Sequence, residues 1–252
     1  MKRAPLMIAN WKMHGTLAEA VPLATAIVNG VPRIGEVEVA LCPPFTALAR
    51  VGELLRGSSV ALGAQDCHWE IRGAFTGEVS PGMLVELGVR YVLVGHSERR
   101  HLFGETNERC LLKVKAARAH GLTPVLCVGE RFDQREHGET WDVIEGQLQG
   151  GLEEIDGPVV IAYEPVWAIG TGVHATPAQA VEVHASIRRW LGEVWGKERA
   201  AAARILYGGS IKPENFLALI GEDEIDGGLV GGASLDAGSF VRLVEFAAET
   251  VS

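Results

Sequence analysis

The chain has 252 residues, 47% hydrophobic and 22% charged, and so carries enough apolar side chain to offset the entropy of ordering; a disordered chain is excluded. The net charge of −9 argues against nucleic acid or an anionic membrane surface as a partner, and an anionic substrate would need a local positive field.

The first apolar run, Leu6–Trp11, predicts a strand, and Lys12 follows it directly. Val37–Leu41 and Val60–Gly63 predict the second and third strands, the latter followed by the long segment Gln65–Glu78. Tyr91–Val94 predicts the fourth and runs into Gly95-His96-Ser97-Glu98-Arg99-Arg100. A helix is expected over Glu105–Ala119, with an apolar stripe at Leu111, Val114 and Ala117. Thr123–Val128 and Val159–Tyr163 are the next strands, and Glu164-Pro165 ends the second of these. Thr176-Pro177 reads as an N-cap with proline at the first helical position, opening a helix through Ile187 and Trp190. Ile205–Tyr207, a helix opening at Lys212-Pro213-Glu214, and Gly227–Val230 complete the series. Gly30, Gly88, Gly121 and Gly221 are expected to end helices.

These strands are nearly continuous in hydrophobicity, as parallel strands buried on both faces must be. Eight βα units of about 31 residues give the arithmetic of an α/β chain closed into a (β/α)8 barrel rather than an open sheet. No Pro/Ser-rich linker divides the chain, so residues 1–252 are expected to form a single domain. Cys42, Cys67, Cys110 and Cys127 never form a C-x-x-C pair, and they point to buried or free thiols and a reducing, cytoplasmic compartment. Asn10 and Lys12 interrupt the first apolar run, so no secretory signal is expected, and no segment approaches the roughly 18 apolar residues of a membrane span.

In a barrel of this kind chemistry sits where strands end. Lys12 is there either a surface lysine or a cation at the barrel mouth, and His96 either a structural side chain or a catalytic one. Glu164 is the most informative residue, because a carboxylate directly after Val-Val-Ile-Ala-Tyr is costly unless it is paired or functional. The stretch Val166–Gly172, apolar, preceded by the rigid Pro165 and carrying two glycines, suits a hinged lid. Glycine pairs at the ends of strands seven and eight, Gly208-Gly209 and Gly231-Gly232, would let backbone N–H groups approach a phosphate. No phosphate-loop, dinucleotide or nucleophile-elbow motif is present, and no histidine cluster has metal-ligand spacing; neither metal nor cofactor is expected.

Together Asn10-Trp11-Lys12, Gly63-Ala64-Gln65-Asp66, Gly73–Glu78, Gly95–Arg100, Tyr163–Gly172, Tyr207–Ser210 and Leu229–Leu235 closely resemble the triosephosphate isomerase family over nearly the whole chain. The resemblance implies the TIM barrel and the interconversion of dihydroxyacetone phosphate and D-glyceraldehyde 3-phosphate, a step of glycolysis and gluconeogenesis, without metal or cofactor. By the same resemblance Glu164 is the general base, His96 the electrophile and Lys12 the lysine that steadies enediolate and phosphate, with Asn10 beside it. The phosphate would rest on backbone N–H groups of Gly170, Ser210, Gly231 and Gly232, and Glu98 would be a supporting carboxylate.

This family is itself the standard example of a carboxylate base beside a neutral histidine whose pKa a helix N-terminus lowers; Ser97-Glu98-Arg99 is expected to start that helix, and dry surroundings to raise the basicity of Glu164. Trp167 and Ile169 are expected to exclude water, with Val173-His174-Ala175 a departure at the lid's second hinge. In the family the Gln65–Glu78 loop inserts into a neighbouring subunit, which implies a homodimer. The alternatives are another phosphate-binding barrel enzyme, an epimerase or aldolase of sugar phosphates, or a barrel that only senses a phosphate ligand.

Overall fold

The computed structural model describes residues 3–31, 37–169 and 175–250. In chain order its elements are β1 (Leu6–Asn10), α1 (Leu17–Gly30), β2 (Glu38–Cys42), α2 (Phe45–Leu55), β3 (Val60–Ala64), α3 (Pro81–Glu86), β4 (Val89–Val94), α4 (Ser97–Leu102) and α5 (Asn107–Ala119). There follow β5 (Thr123–Val128), α6 (Phe132–Glu136), α7 (Thr140–Leu152), β6 (Val160–Tyr163), α8 (Pro177–Trp195), α9 (Lys197–Ala202), β7 (Ile205–Tyr207), α10 (Pro213–Ile220), β8 (Gly227–Val230) and α11 (Ala237–Glu249). The eight strands pair in sequence order, all parallel, and β8 returns to β1 with Leu6 opposite Gly227 and Ala9 opposite Val230. The expected (β/α)8 barrel is therefore closed.

Strand alternation explains the near-continuous hydrophobicity. Leu6 and Ile8, Tyr91 and Leu93, Val125 and Cys127, and Val160 and Ala162 face one another in an inner cluster. The residues between them, such as Met7, Ala9, Val92 and Ile161, join the layer beneath the helices. Both faces of each strand are thus buried, and neither tolerates polar side chains except at the ends. Carrying the same period of two to the end of β1 and one step past β6 places Asn10 and Glu164 on the inner face at the barrel mouth. At the seam a side chain at position 227 would put its Cβ 2.0 Å from the Leu6 carbonyl oxygen, and Gly227 has φ +138°, so only glycine closes the barrel there.

Differences from the sequence reading are local. Trp11 lies beyond β1 although its N–H still donates to the Cys42 carbonyl at 3.1 Å. β2 and β6 each begin one residue later than expected, and β4 starts at Val89, where exposed Arg90 broke the apolar run. α5 begins at Asn107 because the Thr106 side chain accepts from the Arg109 N–H; Glu105 lies outside the helix and buried. Thr176 caps α8 as expected, accepting from the Gln179 N–H at 3.2 Å. Gly88 and Gly121 take the left-handed conformation at φ +79° and +76°. Gly30 instead closes α1 as its last residue, where a Cβ would meet Val241 at 2.8 Å, and Gly221 ends α10 at φ −67°.

One buried group sets a pH limit on the fold. His184 of α8 is fully buried; its Nδ1 lies 3.1 Å from the Glu224 carbonyl, and its Nε2 has no hydrogen-bond partner. Burial therefore pushes its pKa down to about 4. The unfolded chain takes up a proton below pH ~6.5, whereas the folded chain resists it until about 4, so stability present above 6.5 is lost as pH falls through that window. The full loss is about 3 kcal/mol. In urea unfolding at pH 7 and pH 4.5, His184→Gln should show a flatter acid decline than wild type; equal declines would refute the assignment.

Candidate active site

The strand ends enclose a cavity of about 720 Å³ at the C-terminal mouth of the barrel. Asn10, Lys12, His96, Glu98, Glu164, Ser210, Gly231 and Gly232 all line it, so these sequence-predicted residues are brought together. Gly170, with Val173 and His174 of the second lid hinge, lies outside the described residues.

Glu164 is held by main chain before its carboxylate does anything. Its N–H donates to the Val128 carbonyl at 2.7 Å, and its own carbonyl packs so close to Gly129 that a Cβ there would lie 1.8 Å away. The residue is 2% exposed. One oxygen sits 2.9 Å from His96 Nε2, and the other accepts the Ser97 N–H at 3.0 Å. Burial alone would push this carboxyl up; the imidazole, the Ser97 N–H and Lys12 outweigh it and hold it below its ordinary value. The expected gain in basicity is therefore absent in this arrangement, because the carboxylate is paired with His96 and the Ser97 N–H.

His96 caps α4, and the expected helix does begin at Ser97. The Glu98 N–H donates to His96 Nδ1 at 3.3 Å, so Nδ1 is an acceptor and the proton of the neutral ring is on Nε2, toward Glu164. Burial pushes the imidazole down, but the Glu164 carboxylate at 2.9 Å prevails and pushes it up. Glu98 adds to that upward push, while Lys12 joins burial in opposing it.

Lys12 adopts φ +51°, a left-handed backbone that a non-glycine residue keeps only when its surroundings impose it. Asn10 Oδ1 accepts the Lys12 N–H at 3.0 Å, and Gln65 Nε2 donates to the Lys12 and Cys42 carbonyls at 2.8 and 2.9 Å. The ammonium group lands 2.7 Å from Glu98 Oε1. Across the cavity, a Cβ on Gly231 would come within 3.3 Å of Lys12 Cε. The glycines after β7, expected to let backbone N–H groups approach an anion, also have a packing cause. A Cβ on Gly208 would meet Glu164 Cγ at 2.8 Å, and one on Gly209 would strike the Tyr207 hydroxyl at 2.2 Å. They make room for side chains.

Two residues escaped the sequence reading. Gln65 was noted as the start of a loop and within the family-like stretch Gly63–Asp66, with no role assigned to it. Glu130, fully buried, follows β5 by one glycine, and the signal that singled out Glu164 (a carboxylate after an apolar strand) would have found it too. Among the described residues no group of three or more His, Cys, Asp or Glu side chains is placed to hold a metal ion.

The family model for triosephosphate isomerase matches residues 5–247. The chain belongs to the triosephosphate isomerase family. It is an isomerase, and the epimerase, aldolase and sensor alternatives are not favoured. A triosephosphate isomerase of Roseiflexus castenholzii is 53% identical over 249 residues, covering 97% of this chain and 98% of the relative. One from Chloroflexus aurantiacus is 50% identical over 248 residues, covering 97% and 99%. The crystal structure of the Bartonella henselae triosephosphate isomerase superposes with a TM-score of 0.90 at 38% identity, covering 97% of this chain and 99% of that one.

Proposed function

We propose that Glu164 carries the proton, with His96 and Lys12 as donors to the developing oxyanion, in the reaction of this isomerase: the interconversion of dihydroxyacetone phosphate and D-glyceraldehyde 3-phosphate. The observation that carries this reading is the buried Glu164 carboxylate 2.9 Å from an imidazole whose other nitrogen accepts a backbone N–H. Glu164 turns from His96 to the substrate, takes a proton from one carbon and returns it to its neighbour. Leaving His96 and Ser97 removes the contacts that depress the carboxyl, so basicity rises as the base reaches its substrate. His96 Nε2–H, freed by the same movement, donates to the carbonyl oxygen that becomes the enediolate oxygen, and Lys12 adds its charge.

The phosphate is assigned to backbone N–H groups of Gly170, Ser210, Gly231 and Gly232, with Asn10 and Glu98 ordering Lys12. Trp167 and Ile169 would cover the enediolate against water, since an enediolate beside a phosphate can eliminate it. Residues 1–252 act as one domain in this reading. A homodimer through Gln65–Glu78 is supported by exposed apolar side chains in and near that loop, with Ile71 60%, Phe75 41% and Met13 93% exposed. Four free, buried thiols fit a reducing, cytoplasmic setting; no described helix is long and apolar enough to cross a membrane.

The purified chain should isomerise both triose phosphates in a coupled assay, and an inactive folded chain would overturn the reading. Sedimentation should give twice the chain mass. A monomer with full activity would remove the dimer.

A further inference from the structure

Glu130 takes no part in the proton transfer, yet its carboxylate is fully buried beside the base. Its Oε1 gathers three donors: the Trp167 indole N–H at 2.9 Å, the Tyr163 hydroxyl at 3.2 Å and an Arg135 guanidinium N–H at 3.2 Å. Its backbone carbonyl accepts the Val166 N–H at 3.0 Å. Side chain and main chain of Glu130 thus both grip the 3-10 turn Val166–Ala168, which begins two residues after Glu164.

Arg135 enters from α6, whose first turn is closed by Gln134 Oε1 accepting the Arg131 N–H at 2.9 Å. Its guanidinium also lies 5.0 Å from the Trp167 ring centroid. Among the described residues it is the cation paired with Glu130. A buried carboxylate stripped of its charged donor is costly, and a hydrogen bond from a guanidinium is of the stronger, charge-assisted kind. The contact with the indole adds a cation–π attraction of its own.

We propose that Arg135 is a positioning residue for the isomerisation. By donating to the Glu130 carboxylate and by covering Trp167, it fixes the turn Val166–Ala168 and, through that turn, the point from which Glu164 swings. Arg135 touches no reacting atom. The proposal rests on Glu164 being the base, and its test is separate: Glu164→Gln reports on the base, whereas the Arg135 variants leave Glu164 in place.

The experiment is a double-mutant cycle of Arg135→Gln and Trp167→Phe, with kcat and KM measured separately and thermal melts for each variant. Arg135→Gln should lower kcat/KM by about 10-fold or more, the scale of a lost charged hydrogen bond. In the Trp167→Phe background the same change should cost less than about two-fold, because its route to the base is already cut. Arg135→Lys should fall between, since it restores charge without the planar group that reaches both Glu130 and the indole. If Arg135→Gln fails to fold, the cycle is run with Arg135→Lys, whose loss must likewise vanish beside Trp167→Phe. A folded Arg135→Gln within about two-fold of wild type, or losses that multiply independently of Trp167, would overturn the proposal.

Discussion

Glu164→Gln is expected to lower kcat/KM by at least about 10²–10⁴-fold, the range for a lost general base. That corresponds to roughly 3–5 kcal/mol of transition-state stabilisation. The substitution suits the site because it keeps the shape that Gly208 and Gly129 are built around. An amide oxygen still accepts the Ser97 N–H, now 3.0 Å from the carboxylate, so the fold and the cavity should survive. What disappears is the lone pair able to take a proton from carbon. His96 and Lys12 remain, and the variant should still bind substrate or a phosphate-bearing inhibitor with an affinity near that of wild type. The measurement is a coupled assay in both directions beside inhibitor titration and a thermal melt. A folded variant that keeps more than about a tenth of the activity would remove Glu164 from its role.

The extent to which the sequence discloses this molecule depends on how local each determinant is. Eight strands could be read from runs such as Thr123–Val128, because inner and outer faces are both apolar and the pattern needs no partner to be seen. The helix start at Thr176 was equally legible, since a cap is a property of four adjacent residues; the one at Ser97, capped by His96, was expected only from the family's pattern. Boundaries shifted where a tertiary demand intervened: Glu105 left α5 to accept the Gly95 N–H and an ion pair from Lys113.

The candidate site divides in the same way. Identities at strand ends, such as Asn10 and Glu164, follow from the period of two. Their electrostatic state does not, because it depends on a side-chain torsion that brings residues 96 and 164 within 2.9 Å. The roles of Gln65 and Arg135 stayed hidden for a related reason: one reaches across the fold to the carbonyl of Lys12, the other from α6 back to the carboxylate of Glu130, and a polar side chain in a loop or a short helix carries no local mark of such a partner. The glycines after β7 were noticed as an approach for an anion, and the fold adds a packing reason the pattern does not show: Gly208 leaves room for Glu164 and Gly209 for the Tyr207 hydroxyl.

Lys12→Met is the second change expected to be severe, with kcat/KM falling about 10²–10³-fold, the scale of one removed oxyanion donor. Methionine keeps most of the apolar stem lying against Gly231, and the backbone at φ +51° remains supported by Asn10 and Gln65. The loss is therefore chiefly of charge. That charge matters more here than in a basic protein, because the chain carries a net −9 and repels an anionic substrate at long range. Removing it also leaves Glu98, now 2.7 Å from the ammonium, as an uncompensated negative group facing the phosphate. KM should rise and kcat fall together, since the lysine would serve both the bound phosphate and the enediolate. Wild-type kcat/KM should decline with added salt, and the variant should respond less, because the local positive field being screened is gone. A variant within about 10-fold of wild type, or one with an unchanged KM, would show that backbone N–H groups alone hold the phosphate and that Lys12 serves the structure of the mouth rather than its chemistry.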